Sequence, residues 1–354
     1  MKKSEYIVLG IMSGTSLDGV DMTLTKFVFS NQWKYEILIA ETIPYPKYWI
    51  NKLSHLTLLN QKDLNILDQS YTGYLAEVAN DFIHKYSIQH IDFISSHGHT
   101  AKHQPSQKIT FQIGNLKHLA SLTQQLVVCD FRKQDVALNG QGAPLVPIGD
   151  RLLFSDYDFC LNLGGFANIS FERNEKRVAY DICPVNIVLN HYVSNIGKDF
   201  DDRGFIASTG SVNLDLLNKL NGLEFYQEDY PKSLGLEWVK SNVFNLIDAY
   251  DLELQDVLRT FVHHIAYQIS KEINKKTNAN ILITGGGVHN EFLIEEIRKR
   301  TNNVIVIPDN LVIDFKEALI FGFLGILRIR GENNCLSSVT GAIKDHCSGI
   351  IHCP

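Results

Sequence analysis

The sequence has no apolar run long enough to span a membrane. Its longest, around Ala318–Leu327, falls well short of the roughly 20 residues a spanning helix needs, so no membrane partner is expected. It also lacks a GxxxxGK[ST] loop and a GxGxxG fingerprint, which argues against P-loop and Rossmann-type nucleotide sites. The six cysteines contain no CxxC pair, a scatter that suits reduced thiols in a cytoplasm rather than a disulfide or zinc framework. There is no excess of positive charge: the net charge is −6, so no nucleic-acid partner is expected. The one basic triplet, Arg298-Lys299-Arg300, reads as a helix terminus, where cations oppose the helix dipole. Low-complexity tracts, long linkers and short-period repeats are missing too. Lys2-Lys3 precedes an apolar run, but the run breaks into Ser13-Gly14-Thr15-Ser16 without a small-x-small cleavage site. It therefore reads as a strand and not as a targeting signal, and a cytoplasmic protein is expected.

What remains is an ordinary globular composition spread over 354 residues, long for one core and natural for two domains. The expected division is residues 1–150, joined by a returning helix and tail at about 316–354, around a second domain at 151–315. Alternating runs at Tyr6–Met12 and Val20–Val28 flank a glycine-rich turn and predict a β-hairpin. Apolar residues Leu64, Leu67, Tyr71, Leu75, Val78 and Phe82, spaced by three and four, predict a helix over Asn60–Tyr86. Asp92–Ser96 and Leu126–Cys129 read as short buried strands that end in Ser96-His97-Gly98-His99-Thr100 and Asp130-Phe131-Arg132. Polar residues at strand ends are where α/β sites form. The second domain repeats the pattern. Asp158–Asn174 is another strand, Gly-Gly turn and strand; helices are expected at Asn186–Ile196 and Leu252–Ile273; Ile281–Asn290 runs from a buried strand into three glycines; Val304–Ile307 is a strand and Lys316–Arg330 a helix.

Three glycine turns carry the chemistry. Gly14, Thr15, Ser16, Leu17, Asp18, Gly19, Val20 and Asp21 form a stretch in which glycines admit close approach of backbone N–H groups to an anion and hydroxyls add donors. Asp18 would repel phosphate unless Mg2+ or water stood between them; the plainer alternative is a hairpin loop rich in turn formers. Gly164-Gly165 is a second candidate cradle and Gly285-Gly286-Gly287 a third. Singly, each is a common tight turn; together, at similar places in two α/β modules, they match the way actin-like ATPases and sugar kinases hold ATP. Asp181, at the end of a short β-like run, could act as a general base; the plainer reading from sequence is a cap for a helix starting near Pro184. His97, His99 and His103 have spacing that could suit a metal, without a fourth ligand to match. His346-Cys347 and His352-Cys353 are expected to sit in a solvated tail.

Order and spacing of longer motifs then point to a family. GIMSGTSLDGVD (Gly10–Asp21), SSHGHT (Ser95–Thr100), FQIGN (Phe111–Asn115), DFRKQDVALNGQGAPLVP (Asp130–Pro147), LNLGGFANIS (Leu161–Ser170), PKSLG (Pro231–Gly235), TGGGVHN (Thr284–Asn290), DFKEA (Asp314–Ala318) and VTGA (Val339–Ala342) together resemble the anhydro-N-acetylmuramic acid kinases. The resemblance implies an α/β fold of two actin-like (ribonuclease H-like) domains around an interdomain ATP cleft. It implies ATP- and Mg2+-dependent opening and 6-phosphorylation of an anhydro amino sugar in cell-wall recycling, by a homodimer. It assigns ATP binding to the three glycine turns and Mg2+, through water, to Asp18 and Asp21. Asp181 falls on the catalytic base, and His97, Arg132, Asn186 and Glu317 fall at the sugar site.

Two departures stand out. The family reads Asp-Thr-Gly-Pro-Gly-Asn around the base; this chain has Asp181-Ile182-Cys183-Pro184-Val185-Asn186. If the lost glycines need positive φ, Cys183 and Val185 each cost roughly 1–2 kcal/mol. The usual Gln of SHGQT is His99. Beside an active sugar kinase, a nucleotide-binding regulatory or partner-binding protein on the same fold is therefore the alternative.

Overall fold

The computed structural model describes residues 3–14 and 16–354; Met1, Lys2 and Thr15 lie outside the described residues. The chain forms two compact units, Met1–Leu153 with Phe315–Pro354, and Phe154–Asp314.

The first unit is a seven-stranded sheet built from β1 (Glu5–Ser13), β2 (Gly19–Phe29), β3 (Trp33–Pro44), β4 (Phe93–Gln104), β5 (Ile109–Ile113), β6 (Val127–Cys129) and, from the far end of the sequence, β12 (Ile350–His352). The order is β12-β6-β4-β1-β2-β3, with β5 paired to β4. β1–β3 form an antiparallel meander, while β4 runs parallel to both β1 and β6. The helix Gln61–Lys85 covers one face. Asn60 caps it by accepting the Asp63 N–H, and its apolar stripe enters the core beside Leu9, Ile11, Met22 and Ile94. Helix Asn310–Arg330 presses on β1 so closely that a Cβ on Gly10 would lie 2.2 Å from the Ala318 carbonyl oxygen. Only glycine allows that approach.

The second unit has a five-stranded sheet, β11-β10-β7-β8-β9, of β7 (Phe159–Leu163), β8 (Phe166–Arg173), β9 (Lys176–Pro184), β10 (Asn280–Thr284) and β11 (Val304–Val306). The first three strands again form an antiparallel meander, and β10 lies parallel to β7 and β11. The second sheet thus runs third-second-first-fourth-fifth, the ribonuclease H-like order of actin-like domains, and the first follows the same path as β3-β2-β1-β4-β6, with β5 added on β4 and β12 beyond β6. The helix Leu254–Ile273 supplies Val257, Leu258, Phe261, Ile265 and Ile269 to this unit's own core.

Three expectations need correction. β4 does not stop at Ser96 but continues to Gln104, because sheet neighbours and Asn115 satisfy its polar residues: the Asn115 amide donates to the His97 carbonyl. Asp181 is no helix cap, since it lies within β9 and the next helix starts at Asn186 with Val185 before it. The tail is not simply solvated. Ile350–His352 complete the sheet edge and His346 is buried, although Cys353 is exposed.

Candidate functional site

In the first unit the β1–β2 turn places Ser13 opposite Val20 and Met12 opposite Asp21. Leu17 takes a left-handed conformation there, φ 64°. Gly19 sits where a Cβ would come within 2.3 Å of the Ile43 carbonyl oxygen. Asp18 is exposed, and its carbonyl accepts the Tyr45 N–H. The Asp21 carboxylate accepts a 2.6 Å hydrogen bond from the Thr42 hydroxyl. Thr15, the turn's other hydroxyl, lies outside the described residues.

Because β4 runs parallel to β1, with Ser13 opposite His99, its histidines flank this turn. His97 is buried. Its Nδ1–H donates to the Gly98 carbonyl, and its Nε2 accepts from Arg132 Nε at 2.9 Å. Desolvation, and then the Arg132 charge, hold its pKa well below the usual histidine range, so the neutral ring is the acceptor that the guanidinium requires. Arg132 Nη1 donates to the Gly142 carbonyl at 2.7 Å. Glu317 lies within electrostatic reach of both Arg132 and Asp21. Desolvation raises its pKa, Arg132 opposes the rise and Asp21 adds to it. Glu317 is exposed, so solvent screening limits that rise. Asp21, His97, Arg132 and Glu317 therefore belong to one neighbourhood of the first unit.

Sequence reasoning missed a buried cluster beside it. Ser13 Oγ lies 2.6 Å from Tyr45 OH, 2.7 Å from Tyr71 OH and 2.9 Å from His99 Nδ1, and the two tyrosine hydroxyls meet at 2.5 Å. Four contacts need four hydrogens, and the three hydroxyls supply three. The fourth must come from His99 Nδ1–H, which leaves Nε2 as the acceptor. Burial lowers the His99 pKa to about 4, which keeps this tautomer neutral. The members stand far apart in sequence, and Tyr71 reads as part of a helix's apolar stripe; only His99 carried a signal, as a departure from the family motif.

In the second unit the ends of β7 and β10 lie side by side, with Thr284 in register with Asn162. The two glycine turns therefore adjoin. Gly285 has φ 86°, and Cβ atoms on Gly285 and Gly287 would each lie 2.9 Å from the Leu163 carbonyl oxygen. These two glycines serve backbone packing. Gly286 has open space on its Cβ side, and Gly164 and Gly165 are also loosely surrounded. The Gly165 carbonyl accepts the N–H groups of Val185 and Ile187, tying the turn to the helix Asn186–Ser194; the Asn186 N–H reaches the Gly164 carbonyl.

Asp181 is part-buried on β9, opposite Asn168. Its N–H donates to the Lys232 carbonyl and its Oδ2 accepts the Leu234 N–H at 2.8 Å, so the PKSLG segment brackets it. Oδ1 has no hydrogen-bond partner among the described residues. Desolvation raises its pKa above the usual carboxylate value, with the Leu234 N–H pulling the other way. Neither departure beside it carries positive φ: Val185 has φ −129° and Cys183 lies in β9. Both side chains are fully buried in this unit's core. The strain considered from sequence does not arise.

The three histidines do not assemble as metal ligands: His97 and His99 are held as described, and His103 Nδ1 contacts the Thr110 hydroxyl at 3.1 Å.

Residues 6–354 match the protein family described as anhydro-N-acetylmuramic acid kinase. The chain is 33% identical to a protein of that name from Mannheimia succiniciproducens, covering 99% of each. It is 31% identical to one from Pseudomonas syringae pv. syringae, covering 98% of this chain and 99% of that one. A solved structure, the activator of the 2-hydroxyisocaproyl-CoA dehydratase from Clostridium difficile with bound ADPNP, is similar at 14% identity and a TM-score of 0.41, covering 92% of this chain and 97% of that one.

Proposed function

The chain belongs to the anhydro-N-acetylmuramic acid kinase family, and from that premise we propose that it converts 1,6-anhydro-N-acetylmuramic acid, ATP and water to N-acetylmuramic acid 6-phosphate and ADP. The observation that carries the mechanism is Asp181: a part-buried carboxylate with a raised pKa, one oxygen fixed by the Leu234 N–H and the other without a hydrogen-bond partner among the described residues. Asp181 takes a proton from water as that water attacks C1 of the sugar. The C1–O6 bond breaks, and O6 takes the γ-phosphoryl group as the bond to ADP breaks. Glycoside cleavage ordinarily uses a second carboxyl group to protonate the leaving oxygen; phosphoryl capture of O6 replaces it here.

Gly14, Ser16, Gly164, Gly165 and Gly286 offer backbone approach or hydroxyl donors to the nucleotide, with Leu17, Gly19, Val20, Gly285 and Gly287 shaping the turns; Thr15, the remaining member of the first stretch, lies outside the described residues. His97, Arg132, Asn186 and Glu317 bind the sugar. His97 orients Arg132 through a neutral ring, and Arg132 supplies the fixed charge. Asp18 and Asp21 offer hard oxygen donors, which fit Mg2+ held through water, and the ion would supply charge neutralisation to the phosphates. The reading includes a cytoplasmic homodimer. No helix among the described residues is long and apolar enough to cross a membrane.

The test is mass-resolved product analysis in 18O-water with ATP, Mg2+ and the anhydro sugar. The reading expects a 6-phosphate carrying 18O at C1. Tight ATP binding without that product would overturn it in favour of a nucleotide-binding regulatory protein.

A further inference from the structure

A second cluster of chemical side chains lies in the first unit, within electrostatic reach of Arg132. Cys335 and His346 form an antiparallel bridge, each donating its N–H to the other's carbonyl at 3.1 and 3.2 Å. Directly opposed residues in such a pair put their side chains on one face. Asp135, fully buried, meets them there: one ligand atom from each of Asp135, Cys335 and His346 lies within 4.8 Å of the others.

The hydrogen-bond inventory leaves this cluster short of hydrogens. His346 Nδ1 lies 3.1 Å from the Lys344 carbonyl, which can only accept, so Nδ1 carries a hydrogen. Nε2 is buried without a hydrogen-bond partner. The atom it faces, Asp135 Oδ1, is 3.5 Å away and is itself an acceptor. Asp135 is already held in place, because Oδ1 accepts from the Thr340 hydroxyl and Oδ2 from the Gly142 N–H, both at 2.7 Å. With the ring neutral, two acceptors face each other, too far apart for a good hydrogen bond. Ligands about 2.0–2.1 Å from a tetrahedral zinc ion sit about 3.3–3.4 Å apart, close to the spacing seen.

We propose that Asp135, Cys335 and His346 form a binding site for Zn2+ or a similar borderline-soft divalent cation. Thiolate, imidazole and carboxylate together suit zinc and not Mg2+. The charges close, since a divalent ion is neutralised by one carboxylate and one thiolate, with the thiol proton released on binding. The Nδ1–H to Lys344 contact is the outer support that fixes a ligating imidazole. The site clamps the Cys335–His346 ribbon to Asp135. Asp135 holds the Gly142 N–H, and the Gly142 carbonyl holds Arg132, so the ion is a positioning element for that guanidinium and takes no part in the chemistry.

The experiment is a Co2+ titration of the full-length, metal-stripped protein, followed by absorbance. One equivalent should bind with a thiolate-to-cobalt charge-transfer band and release of about one proton, and Zn2+ should displace it and raise the melting temperature. Cys335→Ser should abolish the band; Cys347→Ala and Cys353→Ser should keep it. His346→Gln should weaken binding by roughly tenfold or more. The wild-type spectrum stands even if a variant misfolds. No band at saturating Co2+, or a band lost with Cys347 or Cys353 instead, overturns the site and leaves a proton shared by His346 and Asp135 as the occupant.

Discussion

At the scale of single residues, Asp181 and the buried histidines have consequences of opposite kinds. Asp181→Asn keeps the size of the side chain and an oxygen able to accept the Leu234 N–H, but removes the base. The variant should retain ATP binding by calorimetry while its turnover falls by several orders of magnitude; normal turnover would remove Asp181 from that role. Since the carboxyl pKa is raised, wild-type activity should decline on the acid side at a pH above that of an ordinary aspartate. His99 and His264 affect stability instead. Both are buried neutral, with pKa values lowered to about 4 and about 3. Between those values and the unfolded pKa of 6.5 the unfolded chain binds more protons, so stability rises with pH across this window and is lost as pH falls through it. Each histidine costs on the order of a few kcal/mol once fully titrated. Melting temperatures at pH 7, 5.5 and 4.5 should fall in that order, and His264→Gln, which keeps a partner for Asn221 or Tyr226, should flatten the decline.

At the scale of elements, the glycines divide by what a methyl group would meet. Gly10→Ala drives a Cβ into the Ala318 carbonyl, so β1 and the 310–330 helix must part. The expected loss is roughly 1–3 kcal/mol, read as a lower melting temperature. Gly286→Ala meets open space. It should leave the melting temperature nearly unchanged and raise the KM for ATP. Sequence shows the elements where a local pattern suffices: the 61–85 helix has a regular stripe and an asparagine cap, and both hairpins have glycine turns between alternating runs. It does not show β3, whose Lys34, Glu36 and Glu41 mask the alternation of a half-exposed strand, or the polar continuation of β4, which is strand only because its neighbours pair it. The same limit holds at the sites. Glycine turns and Asp181 stand out locally, while Ser13, Tyr45, Tyr71 and His99, or Asp135, Cys335 and His346, are brought together only by β-sheet pairing and packing. The lost glycines at Cys183 and Val185 looked costly in sequence because φ is invisible there; in the fold their side chains simply fill the core.

At the scale of the whole molecule, the second unit has its own continuous core and one unbroken stretch of chain, Phe154–Asp314. Expressed alone, that stretch should unfold cooperatively in urea; a non-cooperative transition would show that it depends on the rest. The first unit differs. Its sheet is completed by Ile350–His352, which pair with Val127–Cys129, and its 310–330 helix also comes late. Synthesis at about 5–20 residues per second delivers residues 315–354 several seconds after the second unit is complete. The nascent first unit must wait through that interval with the face of β1 uncovered and the edge of β6 unpaired. Such edges recruit other strands. The order of translation thus makes the half that starts first the half that finishes last, and the ribosome-bound chain is the state in which a chaperone would matter most to this protein.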